Sequence, residues 1–483
     1  MASVDGLITG MSTTDTINQL MKLEAAPQTA LKSKITTANK VVNAYQSVNT
    51  KLAAIATAAR DLGNPDAWGA MKATSSSDAA AVTAGTGATG GELSFRVRQL
   101  AATHTVTYTG TTVASPSDAV LSDSTFTIAV PDGDGTKLVD LTPASPSLKD
   151  VVAAINGSTE APYTAAAVRI GDGQYTLQLT AKESGKTAGI AMENLGGPLG
   201  LTLTDPAVTV PGDDAILTVG SAGSGYQITS KTNTFADVLS GVTVTATRAQ
   251  AETDVPVTIK LSTDAEGITA KVQTLVDNVN AALSEIATQS KPKAGAAPAG
   301  PLAGDSAMRS LAQELLSAVS SGVDGLGTFG TASLSDIGIG VGRDGKLTFN
   351  KDDFTKAFRA DPAQTAEYLT KFDHTPGGNA GTFEPGFDRA QGMARKLSAI
   401  ALIATEGVVD PTNPTRPKQG TLQGLIQQRN DAIRGLNDQV AAWDVRLESR
   451  KTALQRQFAN LEVALGKMQQ QSSWLAGQLA GLA

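Results

Sequence analysis

Ile433, Val440, Leu447, Leu454, Leu461, Met468, Leu475 and Leu482 stand seven residues apart without a break, and this series constrains the chain more than any other feature of its 483 residues. A seven-residue apolar repeat is the seam of a helix that packs against another helix. The spacing predicts one helix over 421–483, roughly 90 Å long at 1.5 Å per residue if unbroken. A companion position widens the stripe, three residues on at Leu436 and Trp443 but four residues on at Phe458, Leu465 and Leu479. The change falls around Arg450 to Leu454, a stutter that locally unwinds a supercoil. Such a helix cannot bury its stripe alone, so a partner is obligatory.

The nearest candidate is the chain's own start. No charge occurs from Met468 to Ala483, and residues 1–21 carry only Asp5 and Asp15. The ends are expected to meet in a helical hairpin and to be buried further against other subunits, since a hairpin with Gln469, Gln470, Gln471, Ser472 and Ser473 outside exposes a near-neutral, adhesive surface. At the N-terminal end, Ile17, Leu20, Met21 and Leu23 form a helical stripe up to Pro27, which should end or kink the helix. Apolar positions resume at Leu31, Ile35, Ala38, Val42 and Tyr45 and run to Leu62, ahead of Gly63, Asn64 and Pro65. The residues assigned to packing in the assembly are Ile17, Leu20, Met21, Val440, Leu447, Leu454, Phe458, Leu461, Leu465, Met468, Leu475 and Leu479.

From about residue 76 the period changes to two. Leu93, Phe95 and Val97, then Phe126, Ile128 and Val130, then Tyr175, Leu177 and Leu179, then Val242 and Val244, and Val255, Val257, Ile259 and Leu261 predict half-buried strands. Turns fall at "PDGDG", "GDG" and "SGV". Two short helices are expected, "SLKDVVAAIN" capped by Ser147 and "TFADVLSG" capped by Thr234. The middle is therefore an α+β insertion of two small modules. Helical period returns over 266–289, where Ile268, Val272, Leu275, Val279, Leu283 and Ile286 share a face. A Pro/Gly-rich connector, "KPKAGAAPAGPLAG", follows, then short helices with a hairpin at "GIGVGRDGKLTF", and a loop "DPTNPTRPKQG" before the last helix.

Chemistry is nearly excluded. With no cysteine there are no disulfides, thiolate metal sites or Cys nucleophiles, and His104 and His374 lie in no nucleophile motif. "GVGRDGKL" fails as a phosphate loop, because Leu347 replaces the Ser/Thr for Mg²⁺ and the chain continues as a strand. "DGDG" at 132–135 lacks the remaining ligands of a calcium loop, and "GSAGSG" at 220–225 reads as a turn. No catalytic, cofactor-binding or metal residue is assigned and no enzyme activity is expected. Residues 76–267 hold 20 acidic and 10 basic side chains, a net charge of −10 that repels phosphate backbones, so nucleic acid is not expected as a partner. Neither a cleavable signal nor an apolar run long enough for membrane insertion is visible.

"VDGLITGMSTTDTINQLMKLEAAP", from Val4 to Pro27, resembles the N-terminal signature of the bacterial flagellar filament cap family, hook-associated protein 2 or FliD, at Asp5, Gly6, Leu7, Gly10, Ile17, Leu20, Met21, Glu24 and Pro27. "SSSDAAAVTAGTGATGGELSFRVRQLA", "NTFADVLSGVTVT", "LAGDSAMRSL", "IGVGRDGKLTFNKDDF" and "ALQRQFANLEVALGKMQQQSSWLAGQL" are similar to later segments of that family, in order. The resemblance implies a multidomain α+β fold with discontinuous helical terminal and leg domains, coiled-coil-like at the ends, and two inserted β-rich head domains. The expected division is 1–42 and 437–483 for the terminal domain, 43–75 and 268–436 for the leg, 76–112 and 212–267 for the inner head, and 113–211 for the outer head. By the same resemblance, copies of the chain form a plate with legs at the filament tip, where exported flagellin folds and is retained. The implied partners are further copies of itself, flagellin, the hook–filament junction protein, the flagellar type III export apparatus with an export chaperone, and a host surface. The implied location is extracellular after secretion. Two alternatives stay open on the residues: a polymerising flagellar structural subunit or hook–filament junction protein, and a surface adhesin.

Overall fold

A computed structural model describes residues 12–480 apart from 86, 133–134, 187–199, 221–224, 327–329, 378–380 and 411–412. The chain divides into two compact units, Met1–Trp68 with Ala265–Ala483, and Gly69–Asp264. Helices dominate the first and sheets the second, the multidomain α+β architecture expected.

In the first unit Ser12 starts helix α1 (Thr13–Glu24), its hydroxyl accepting from the Asp15 N–H. Pro27 interrupts the helical run without ending it. Proline has no N–H and crowds the preceding turn, so α1 stops at Glu24 and α2 (Ala26–Gly63) restarts with Pro27 in its first turn. Backbone bonds from the Ala25 N–H to Met21 and from the Thr29 N–H to Ala25 carry the chain across the break.

The C-terminal half of α2 shares a core with α4 (Ala265–Ser290), every residue of whose predicted stripe is buried. Helices α5 (Ser306–Ser320), α6 (Lys351–Ala360), α7 (Pro362–Thr370) and α8 (Met393–Thr405) complete that core. Aromatics are only 4% of the chain, yet Trp68, Phe349, Phe354 and Phe358 gather here, with ring centroids 5.5–6.3 Å apart from one to the next. Spacing by four puts Phe354 and Phe358 on one face of α6. The "GVGRDGKL" stretch is the expected hairpin, with strand 339–341 paired to strand 347–349. Asn280 on α4 anchors it, its carboxamide bonded to both the N–H (2.7 Å) and the carbonyl (2.9 Å) of Leu347. One expectation fails: "DPTNPTRPKQG" is no loop but part of a hairpin, strand Gly407–Asp410 against Asn413–Gln419. Proline is tolerated on edge strands, and both strands of a ribbon are edges. Helix α9 (Thr421–Ala480) then runs unbroken through the stutter.

The second unit has two cores. Strands β1 (Met71–Ser75), β14 (Val257–Thr263), β3 (Gly91–Gln99), β10 (Ala215–Val219) and β11 (Tyr226–Ser230) form one sheet in that order. Facing it is a second sheet of β12 (Thr234–Leu239), β13 (Val242–Ala246) and β2 (Ala80–Ala84), with Phe95, Leu217, Val244, Val257 and Ile259 in the core they share. The outer module orders its sheet β7 (Tyr163–Gly171), β8 (Gln174–Ser184), β4 (Thr103–Tyr108) and β9 (Pro206–Val210). The hairpin of β5 (Phe126–Asp132) with β6 (Gly135–Leu141) and helix α3 (Leu148–Gly157) pack on it through Phe126, Ile128, Leu148, Val151 and Ile155. Ser147 caps α3 as expected.

Two further readings are corrected. "TFADVLSG" is strand β12, not a helix: Phe235 is buried in the sheet, and Gly241 (φ 73°) with Asp237 (φ 52°) turns the chain straight into β13. A tight hairpin outcompetes a single capped turn of helix that has nothing to pack on. Val255 stands outside its strand and is exposed, because Pro256 precedes β14. Strand β1 is bonded to β14 in the five-stranded sheet, and β4 to β8 in the four-stranded one. The "GSAGSG" turn and the tip of "PDGDG" fall at 221–224 and 133–134, outside the described residues.

Because both of its cores are internal, residues 69–264 expressed alone should unfold cooperatively on heating. Far-UV circular dichroism of that fragment checks this, and a non-cooperative melt would refute it.

Candidate functional site

The seam at the chain's two ends is the feature most constrained by sequence, and in the first unit it is an antiparallel pairing of α9 with α1 and α2. Three polar contacts set its direction. The Arg450 Nε donates to Glu24 (2.8 Å), the Gln28 carboxamide to the Asp444 carboxylate, and Tyr45 faces Arg429. As numbers rise from 24 to 45 along the N-terminal strand of the pair, they fall from 450 to 429 on α9. At that one-for-one rate Thr13, the first residue of α1, comes level with α9 near Leu461.

The burial of the series follows this geometry. Val440 and Leu447 are half-buried against α2, with Leu436 and Trp443 beside them. Leu454 is buried, 7% exposed, as is Ile17 across from it at 6%. Phe458 and Leu465 are half-buried, as is Met21, while Leu20 is exposed. Past that point the stripe comes out. Leu461, Met468, Leu475 and Leu479 are all exposed, Leu475 at 56%, and Val463 and Trp474 join them. The structure thus brings Ile17, Met21, Val440, Leu447, Leu454, Phe458 and Leu465 into a seam and leaves Leu20, Leu461, Met468, Leu475 and Leu479 outside it. Leu482 and residues 1–11, including Asp5, Gly6, Leu7 and Gly10, lie outside the described residues.

Gln28 and Arg395 went unread in the sequence, and Tyr45 was read only for its place in the apolar stripe. Gln28 is buried within the seam, held by Asp444 and approached by Lys32 at 3.3 Å. It stands seven residues before Ile35 and fourteen before Val42, so the signal was present but polar. A buried polar residue on such a seam fixes register at some cost in stability. The Tyr45 hydroxyl donates to Asp305, the residue that caps α5 by accepting from Ala307 and Met308. Burial, and then the Asp305 carboxylate, push the Tyr45 pKa from its usual 10 up to about 12. The Arg395 guanidinium lies 5.2 Å and 5.0 Å from the rings of Phe372 and Phe383.

Both histidines are hydrogen-bonded within the fold. The His104 ring is buried, with Nδ1 accepting from the Gly212 N–H (3.1 Å), which places its proton on Nε2. His374 lies 2.7 Å from Asp388. Burial opposes ionisation of Asp388, yet the N–H groups of Glu384 and Thr375 and the His374 ring hold its pKa below the usual carboxylate range. Among the described residues no cluster of three or more His, Asp or Glu could hold a metal ion, and no helix is long and apolar enough to cross a membrane.

Residues 212–470 match the family model for the flagellar hook-associated protein 2 C-terminus, and residues 9–104 match that for its N-terminus. The chain is 28% identical over 232 residues to the lateral flagellar hook-associated protein 2 of Vibrio parahaemolyticus, an alignment covering 47% of this chain and 48% of that one. It is 23% identical over 496 residues to the flagellar hook-associated protein 2 of Escherichia coli K12, covering 99% and 98% of the two. Its fold resembles the solved D1–D2–D3 domains of the E. coli flagellar cap protein FliD, with a TM-score of 0.56 at 22% identity over 80% of this chain and 99% of that one.

Leu454→Ala should cost about 2 kcal/mol by opening a cavity beneath α1. Hydrogen exchange in residues 13–24 should then speed up in the free monomer, whereas Leu475→Ala should leave it unchanged. Equal effects would contradict the seam. Tyr45 supplies a pH test. Its folded pKa is raised, so its contribution is complete below pH 10 and is lost as pH rises through about 12. Tyr45→Phe should therefore lose less stability between pH 10 and 12 than the unmodified chain, read as the fall in melting temperature.

Proposed function

We propose, from the premise that this chain belongs to the flagellar hook-associated protein 2 family, that it works as a flagellar filament cap whose terminal helices engage the assembly. Several copies form a plate with legs at the distal tip. Exported flagellin folds and inserts beneath the plate and is kept from escaping.

The observation that carries this reading is the emergence of the heptad series from its intramolecular seam. Leu461, Met468 and Leu475 continue the spacing that Leu454 buries, with Leu479 at the companion position, and from Met468 onward the stretch carries no charge. A helix that keeps its seam pattern beyond the reach of its described partner is patterned for a second one. Equivalent helices of neighbouring subunits supply such a surface. No covalent step is involved: the cap acts by occupying and vacating lattice positions, leaving one subunit-sized opening at a time. The chain reaches this place through the type III export apparatus with an export chaperone, and the hook–filament junction is its first seat. The runner-up, a polymerising structural subunit, has the same ends but would form long filaments rather than closed rings or plates.

Leu475→Asp tests the reading. Burying a carboxylate among apolar neighbours costs several kcal/mol per copy, and the two cores of 69–264 are built entirely from residues of that unit. The variant should keep the melting transition of that unit while cells carrying it leak flagellin monomer and grow no filaments. Secretion of the variant is measured alongside. Secreted Leu475→Asp protein that supports filaments of normal number and length would sink the proposal.

A further inference from the structure

Four features of the terminal seam fall at one level. Pro27 supplies no N–H, so a rung of the helical ladder is missing between α1 and α2. Met21, Gln28, Ile35 and Val42 stand seven apart, and the polar member, Gln28, is buried there with its carboxamide donating to Asp444 and, at 3.5 Å, to the Val440 carbonyl. Glu24 meets Arg450 across the same level through side chains 38% and 49% exposed, a pair that water screens. On α9 the companion position moves from three residues on to four around Arg450 to Leu454, so α1 and α2 lie on differently phased lengths of one helix.

The two sides of this level are held unequally. Before it, α1 buries Ile17 alone and leaves Leu20 and Leu23 exposed, and a helix of 12 residues is marginal by itself. After it, α2 runs into the leg core through Tyr45, Val48 and Leu52. Opening α1 therefore costs a small part of what opening α2 costs. We propose that α1 is a strap over α9 that opens at Pro27 while α2 stays in place. Closed, it keeps Leu454 dry. Open, it bares Leu454 beside the exposed Leu461, Met468 and Leu475, and α9 offers one uninterrupted stripe to an equivalent helix of a second copy. That use of the strap rests on the reading of the chain as a cap whose terminal helices engage the assembly; the opening itself is a property of the free chain.

Hydrogen exchange in the full chain tests the strap. Amides of residues 17–24 should open about a hundredfold more often than those of residues 35–45. Pro27→Ala combined with Gln28→Leu restores the missing rung and makes the seam apolar throughout. It should slow exchange in 17–24 about tenfold and draw it toward that of 35–45. Pro27→Ala alone serves if the double variant loses the unmodified melting transition. Equal protection on the two sides of Pro27 in the unmodified chain, or exchange in 17–24 that neither variant slows, overturns the proposal. In cells the fastened double variant should build fewer filaments per secreted copy than the unmodified chain. Normal filaments from the fastened variant would show that assembly does not use the opening, which overturns the strap's role and leaves the cap reading standing. An unmodified chain that restores no filaments to cells lacking a cap sinks the cap reading, while exchange in the free chain still decides the strap.

Discussion

The connectivity of the helical unit depends on two segments far apart in the chain, α1–α2 and α9, lying side by side. The antiparallel pairing of α1 and α2 with α9 turns a sequence of 483 residues into a closed insertion scheme: the ends meet, and the β-rich unit is carried between α2 and α4. The pairing is also the least secure contact in the unit. Most of its apolar residues remain half-buried, because two helices alone cover only one side of each other, and Gln28 places a polar group where an aliphatic one would hold more tightly. The core below it, formed by α2 with α4 to α8, contains fully buried Val48, Leu52, Leu275 and Phe354 and owes nothing to the last twenty residues.

On the proposed reading, the chain must hold its own shape and also bind into a larger assembly. A fully buried core would then keep its geometry if the terminal pair exchanged partners. A half-buried seam would exchange them at modest cost. The cap reading and the burial pattern thus ask the same thing of the chain, although the first comes from family membership and the second from which side chains water reaches.

Much of this was legible in advance, and the reasons differ by element. The long helices were plain because an amphipathic stripe sustained over many turns has no competing explanation, as at Ile268 to Ile286. The strands around Phe95, Ile128 and Leu177 were plain because strict alternation is as specific. "TFADVLSG" was misread because eight residues contain too little period to separate a capped turn from a strand, and the deciding partner, Val244, is supplied by tertiary structure. "DPTNPTRPKQG" was misread because its prolines argue against a central strand and say nothing about a free-standing ribbon. At the seam the apolar half was visible and the polar half was not. Nothing in the types of Tyr45, Asp305 and Arg429 says that residues so far apart in sequence share one hydrogen-bonded corner.

The pairing of Glu24 with Arg450 also fixes an order of events. The two residues are 426 positions apart, so a chain emerging from its N-terminus must be almost wholly delivered before its first helix can find its last. Contacts of such separation form slowly and late, later than those of the module spanning β4 to β9, whose strands all come from residues 103–210. The terminal clasp is therefore a completion signal written into topology: any chain cut short of Arg450 leaves α1 without the helix it was made to meet, however well the rest has folded.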